Sequence, residues 1–169
     1  FASNMHRIQS ILNTAQRYGR KVAVTGRSME NMLKVAQELG YLKVKPGTIV
    51  DLAATKSLPK NKVAIVSTGS QGENMSALYR MAFNTHKQVD ITSGDRIIIS
   101  ASAIPGNEKA VSKIINELYR KGADVVYEKS EGLHASGHAC REELKIIHGL
   151  VRPKFFLPAH GEQRMLQIH

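Results

Sequence analysis

The chemistry-bearing residues of this chain cluster around three histidines. His134 and His138 stand four apart in Gly132-Leu-His-Ala-Ser-Gly-His-Ala139, and His160 sits in the turn Pro158-Ala-His-Gly-Glu162. A neutral imidazole at a loop end can ligate a metal or carry a proton near neutral pH. Three histidines can also supply the protein side of a zinc site. The spacing alone is weak, because neither His-Glu-x-x-His nor Cys-x-x-Cys occurs, and any one of the three reads equally well as a surface or N-cap histidine.

A second group of residues suits anions. Thr25-Gly-Arg-Ser28, Ser67-Thr-Gly-Ser-Gln-Gly-Glu73, Ser100-Ala-Ser-Ala-Ile-Pro-Gly106 and the 132–139 segment are rich in Gly, Ser, Thr or His. Glycines let backbone N–H groups approach an anion, hydroxyls add donors, and a following helix presents its positive end. Neither a Walker A loop nor G-x-G-x-x-G is present, so the pattern is a phosphate-binding rim rather than a nucleotide fingerprint. Ser67, Gly69 and Ser70 are its candidates in the second loop, and tight strand-to-helix turns are the plain alternative.

The elements that must position these loops alternate along the chain. Strands are expected at 21–25, 48–53, 62–67, 96–100, 124–127 and 155–157, with 62–67 as the central one. Helices are expected at 6–18, 28–40, 73–84, 107–121 and 137–149. Ser3 and Asn4 stand as N-cap residues before the first helix. Apolar strands separated by helices imply an α/β domain, a parallel sheet flanked by helices on both faces. Ligands of such sheets lie beyond the carboxyl ends of the strands, where the four loops fall. Met29 and Met32 read as core, Cys140 as buried, and His6, His86 and His148 as surface or helix residues.

Composition bounds the function. The chain has 169 residues, 42% of them apolar and 22% charged, which excludes a disordered or disulfide-stapled class. Twenty-four Lys/Arg against fourteen Asp/Glu give a net charge of +10, and such an excess attracts polyanions. With four Phe, five Tyr and no Trp, recognition by base stacking is disfavoured and recognition of phosphate favoured. The single Cys140, the lack of a signal segment and the lack of an apolar span point to the cytoplasm without membrane contact. Phe1 is an unusual start, and the chain stops as a helix is due after Gly161, so both ends are expected to be cuts within a larger protein.

The motifs together resemble a known family. Gly-Leu-His134-Ala-Ser-Gly-His138-Ala followed by Pro-Ala-His160-Gly-Glu looks like motifs B and C of the β-CASP metallo-β-lactamase nucleases. The 67–73 loop and the opening Phe1-Ala-Ser-Asn4 narrow the resemblance to the ribonuclease J group. It implies a zinc-dependent ribonuclease with two Zn ions, acting as a 5′-to-3′ exonuclease preferring 5′-monophosphorylated RNA and also as an endonuclease. It places His160 as a metal ligand and His138 as the catalytic histidine near the scissile phosphate. His134, Ala135, Ser136, Gly137 and His138 then form the pocket for a nucleotide phosphate, flanked by Ser3 and Asn4. In such a site two zinc ions polarise the phosphodiester and generate hydroxide, and a phosphate pocket confers little base specificity. Residues 1–150 correspond to the β-CASP domain and 151–169 to the start of a return segment to the metallo-β-lactamase domain, with a homo-oligomer implied for the whole protein.

The family's His-x-His-x-Asp-His motif occurs nowhere in the chain. A lone His160 falls short of the three protein ligands of a catalytic zinc, so the chain by itself is expected to bind RNA weakly and to leave it uncut. Two other classes compete: a sugar-phosphate-binding domain of the isomerase or regulator type, and a scaffold that only docks proteins.

Overall fold

The structure is a computed structural model that describes residues 4–127, 139–159 and 161–169. It divides into two compact units, one up to residue 134 and one from residue 135 onward.

In the first unit, α1 (Met5–Arg17) buries Ile8, Leu12 and Ala15, spaced i, i+4, i+7 on one face. Asn4 caps it as expected, its Oδ1 accepting the Arg7 N–H at 3.0 Å. β1 (Lys21–Thr25) pairs in parallel with β2 (Val63–Ser67), and α2 (Arg27–Glu38) follows β1. Met29, Leu33 and Ala36 of α2 join Ile8, Leu12, Ala15, Val22 and Leu42 in one core. Met29 is therefore core, whereas Met32, on the same helix, is exposed.

The centre of this ladder is β1 rather than β2. Val22 and Ala23, which point to opposite faces of the strand, are both fully buried, whereas all five residues of β2 are only half-buried. The free edge of β1 is taken by the 48–50 segment: the Val22 N–H donates to the Thr48 carbonyl at 2.8 Å and the Val50 N–H to the Val22 carbonyl at 2.9 Å. The strand expected at 48–53 reduces to this single bridge at Ile49, and the chain then turns into a 3₁₀ helix over Leu52–Ser57.

A second core lies around β3 (Arg96–Ile98) and β4 (Asp124–Val126), which pair in parallel, with α3 (Ala77–Ala82) and α4 (Glu108–Arg120). Ala77, Leu78, Met81, Ile99, Ile114, Leu118 and Val125 fill it. The helix expected over 73–84 begins late because Ser76 starts it: its Oγ accepts the Tyr79 N–H. Met75, just before, takes φ +67, outside the helical region. Parallel strands with flanking helices make this a mixed α/β fold; among the described residues the strands form two hydrogen-bonded pairs.

In the second unit, α5 (Arg141–Val151) starts at Cys140, whose N–H donates to Glu143 Oε2 at 2.6 Å. Cys140 is exposed, contrary to expectation. Phe155–Leu157 forms no strand and is exposed. Phe156 instead meets the His148 ring edge-on and stacks on His169, just after α6 (Gln163–Ile168). Among the described residues no helix is long and apolar enough to cross a membrane.

Candidate functional site

Register places the loops. Thr25 stands opposite Ser67 at the end of the β1–β2 ladder, so the Thr25–Ser28 and Ser67–Glu73 loops leave the same edge. They touch at once: a Cβ built on Gly26, at φ +111, would lie 2.5 Å from Thr68 Oγ1. In the second ladder Ile98 stands opposite Val126. The 100–106 loop and Tyr127 likewise depart from one edge.

Side chains then tie the first unit's loops together. Gln71 Nε2 donates to the Ser102 carbonyl at 2.9 Å, and the Ile104 N–H donates to Gln71 Oε1 at 2.8 Å. Arg7 Nη1, from the first turn of α1, donates to the Ser100 carbonyl at 2.7 Å. Three of the four glycine- and hydroxyl-rich loops, and the helix that Asn4 caps, thus meet on one rim. Gly69, at φ +112, is buried, and a Cβ there would clash with Ser76 Oγ. Gly72, at φ +78, lies against the first turn of α4, where a Cβ would approach Ala110 to 2.6 Å.

Of the residues singled out from sequence, Asn4, Ser67, Gly69 and Ser70 fall on this rim or at the helix end that reaches it. Ser3, His134, Ala135, Ser136, Gly137, His138 and His160 lie outside the described residues. Among the described residues no group of three or more His, Cys, Asp and Glu could hold a metal.

Sequence reasoning passed over three rim residues. Arg7 and Gln71 act through the carbonyls and amide they hold, a role with no signature in side-chain type. His86, read as an ordinary surface or helix histidine, is half-buried in the turn after α3. Its Nδ1 accepts the N–H groups of Gln88 and Val89 at 3.3 and 3.1 Å, and its Nε2 lies 3.3 Å from Thr25 Oγ1. With Nδ1 accepting, the ring proton belongs on Nε2, which donates to Thr25. Burial, then the Arg80 guanidinium, push the His86 pKa below the ordinary histidine value, against a smaller opposing pull from Asp90.

The family model for the ribonuclease J beta-CASP domain matches residues 1–118, and that for the Zn-dependent metallo-hydrolase RNA specificity domain matches residues 122–169. Ribonuclease J of Thermus thermophilus is 54% identical over 97% of the chain and 28% of its own length. Ribonuclease J of Helicobacter pylori strain J99 is 47% identical over the whole chain and 24% of its own length. Ribonuclease J2 of Bacillus subtilis is 41% identical over the whole chain and 30% of its own length. The chain spans less than a third of each of these relatives, and it belongs to the ribonuclease J family.

Proposed function

We propose that the chain is the RNA-binding β-CASP part of a zinc-dependent ribonuclease that acts both as a 5′-to-3′ exonuclease and as an endonuclease in RNA processing in the cytoplasm. The observation that carries this reading is the meeting of the 25–28, 67–73 and 100–106 loops on one rim, in a chain of net charge +10. Glycine and hydroxyl loops at the carboxyl ends of parallel strands suit phosphate, and phosphate contacts hold an RNA strand irrespective of sequence.

In this reading the 5′-monophosphate sits in the segment of His134, Ala135, Ser136, Gly137 and His138, with Ser3 and Asn4 beside it. His138 attends the scissile phosphate, and His160 supplies one ligand to a centre of two zinc ions. The described residues alone do not fit a zinc centre, so no step is drawn through the metal, and its remaining ligands belong to the metallo-β-lactamase domain. Residues 151–169 begin the return to that domain. The exposed apolar side chains of α5 and the strand-less segment after it, among them Ile147, Leu150, Val151, Phe155 and Leu157, suit packing against it. The complete enzyme forms a homo-oligomer.

Two assays on the 169-residue chain test the reading. RNA carrying a 5′-monophosphate should bind, with an affinity that falls as salt releases counterions. No cleavage should appear with added zinc. Robust turnover abolished by EDTA overturns the assignment of the metal site to residues beyond the chain; salt-independent capture of a sugar phosphate in place of RNA overturns the RNA reading.

A further inference from the structure

A cleft of about 850 Å³ opens beside the carboxyl end of β1, between the start of α2, the Ile49–Ala53 segment and the turn after α3. Its charge is unbalanced. Arg27, Lys34, Arg80 and Lys87 line it against Glu30 and Asp51. Among the described residues Lys34 pairs with Glu38, at 4.0 Å on the exposed surface, whereas Arg27, Arg80 and Lys87 take part in no ion pair. Glu30 Oε1 is occupied by the Gly26 N–H at 3.1 Å.

Arg80 is the telling residue. Its Nε is the one buried side-chain nitrogen or oxygen without a hydrogen-bond partner among the described residues. A buried donor left unpaired is uncommon in a folded protein and costs stability. Close by, Thr25 is 4% exposed. Since His86 Nε2–H donates to its oxygen, the Thr25 hydroxyl proton remains to be given to an acceptor. At the start of α2, the Arg27 and Ser28 amides precede the first intrahelical bond, from the Met29 N–H to the Gly26 carbonyl, and face the same end. Guanidinium, hydroxyl and helix start line one cleft, in which the cations outnumber the two carboxylates, Glu30 and Asp51.

We propose that this cleft is a phosphate site for an internal phosphodiester of an RNA strand, centred on Arg80 and Thr25. The proposal rests on the RNA-binding reading given above. An open cleft beside the Thr68 loop suits a strand that continues along the rim better than a small closed ligand, and an arginine fork is suited to phosphate oxygens.

The test uses the isotopically labelled 169-residue chain and two probes: orthophosphate, and a short RNA with a 5′-hydroxyl, which lacks the terminal phosphate. RNA should move the amide signals of Thr25 and Gly26 and the ring signals of His86. R80Q should weaken RNA binding roughly tenfold, the loss of a charge-assisted hydrogen bond. It should also lower the slope of log affinity against log salt by about 0.7, one single-strand phosphate contact. K87Q, at an exposed side chain that does not threaten the fold, should weaken binding in the same direction by less. RNA that binds while Thr25, Gly26 and His86 stay silent overturns this proposal and leaves the functional reading standing. Movement with orthophosphate but not with RNA overturns the phosphodiester assignment, and absence of any RNA binding overturns the functional reading along with it. Equal affinity and slope for wild type, R80Q and K87Q also overturn the proposal.

Discussion

Gln71→Ala probes the rim most sharply, because one side chain holds two loops together. The wild-type amide gives one bond to the Ser102 carbonyl at 2.9 Å and takes one from the Ile104 N–H at 2.8 Å. At about 1 kcal/mol net for each neutral bond, the pair contributes about 2 kcal/mol. Ile104 is exposed, so its freed amide is rehydrated, and the loss should fall to about 1–2 kcal/mol. For a chain of this size that lowers Tm by roughly 3–6 °C. Gln71→Glu separates the two bonds, since a carboxylate oxygen still accepts from Ile104 while the other opposes the Ser102 carbonyl. Urea unfolding gives the stability, and amide hydrogen exchange at Ile104 gives the local bond. Exchange at Ile104 should accelerate in the alanine variant and stay slow in the glutamate variant. If Ile104 exchanges at the wild-type rate in Gln71→Ala, the two loops are not held by this side chain and the rim is positioned by something else.

Gly72→Ala should destabilise the chain by about 2 kcal/mol or more, from the positive φ and from contact with the Ala110 backbone 2.7 Å away; thermal unfolding checks it, and a neutral result would refute the close packing of the loop on α4. Leu118→Ala removes a fully buried side chain from the second core and should cost about 2–5 kcal/mol in urea unfolding. His86 is held below its ordinary value by burial and then by Arg80, so below pH 6.5 the unfolded chain binds more protons than the folded one. Stability should therefore fall on acidification through that window, and His86→Gln should flatten the fall; identical pH profiles for the two proteins would refute it.

The helices were legible where apolar spacing was regular. Ile8, Leu12 and Ala15, or Ile114 and Leu118, announce buried faces by period alone, and Asn4 announces its cap by side-chain type. Segments decided by a neighbour were not. Val63–Ser67 looks central because it is apolar, but burial belongs to β1, which takes a partner on each edge. Phe155–Leu157 reads as a strand by composition, yet an apolar run forms one only where another strand offers a ladder. Ser76 rather than Glu73 starts α3 because its hydroxyl reaches the Tyr79 amide. On the rim, glycines and hydroxyls were visible as composition, whereas Arg7, Gln71 and His86 acquire their roles only when parallel register brings distant loops together. The histidine motifs at 134–138 and 160 carried the family resemblance through residue identity, and they lie outside the described residues.

RNA binding by the 169-residue chain, followed as salt is raised for one oligonucleotide with a 5′-monophosphate and for the same sequence with a 5′-hydroxyl, is the most direct measurement. Several phosphate contacts along the rim predict a steep linear fall of log affinity with log salt for both RNAs, at about 0.7 per contact, with the monophosphorylated one tighter throughout. A flat salt dependence, or equal affinity for the two ends, would contradict the account.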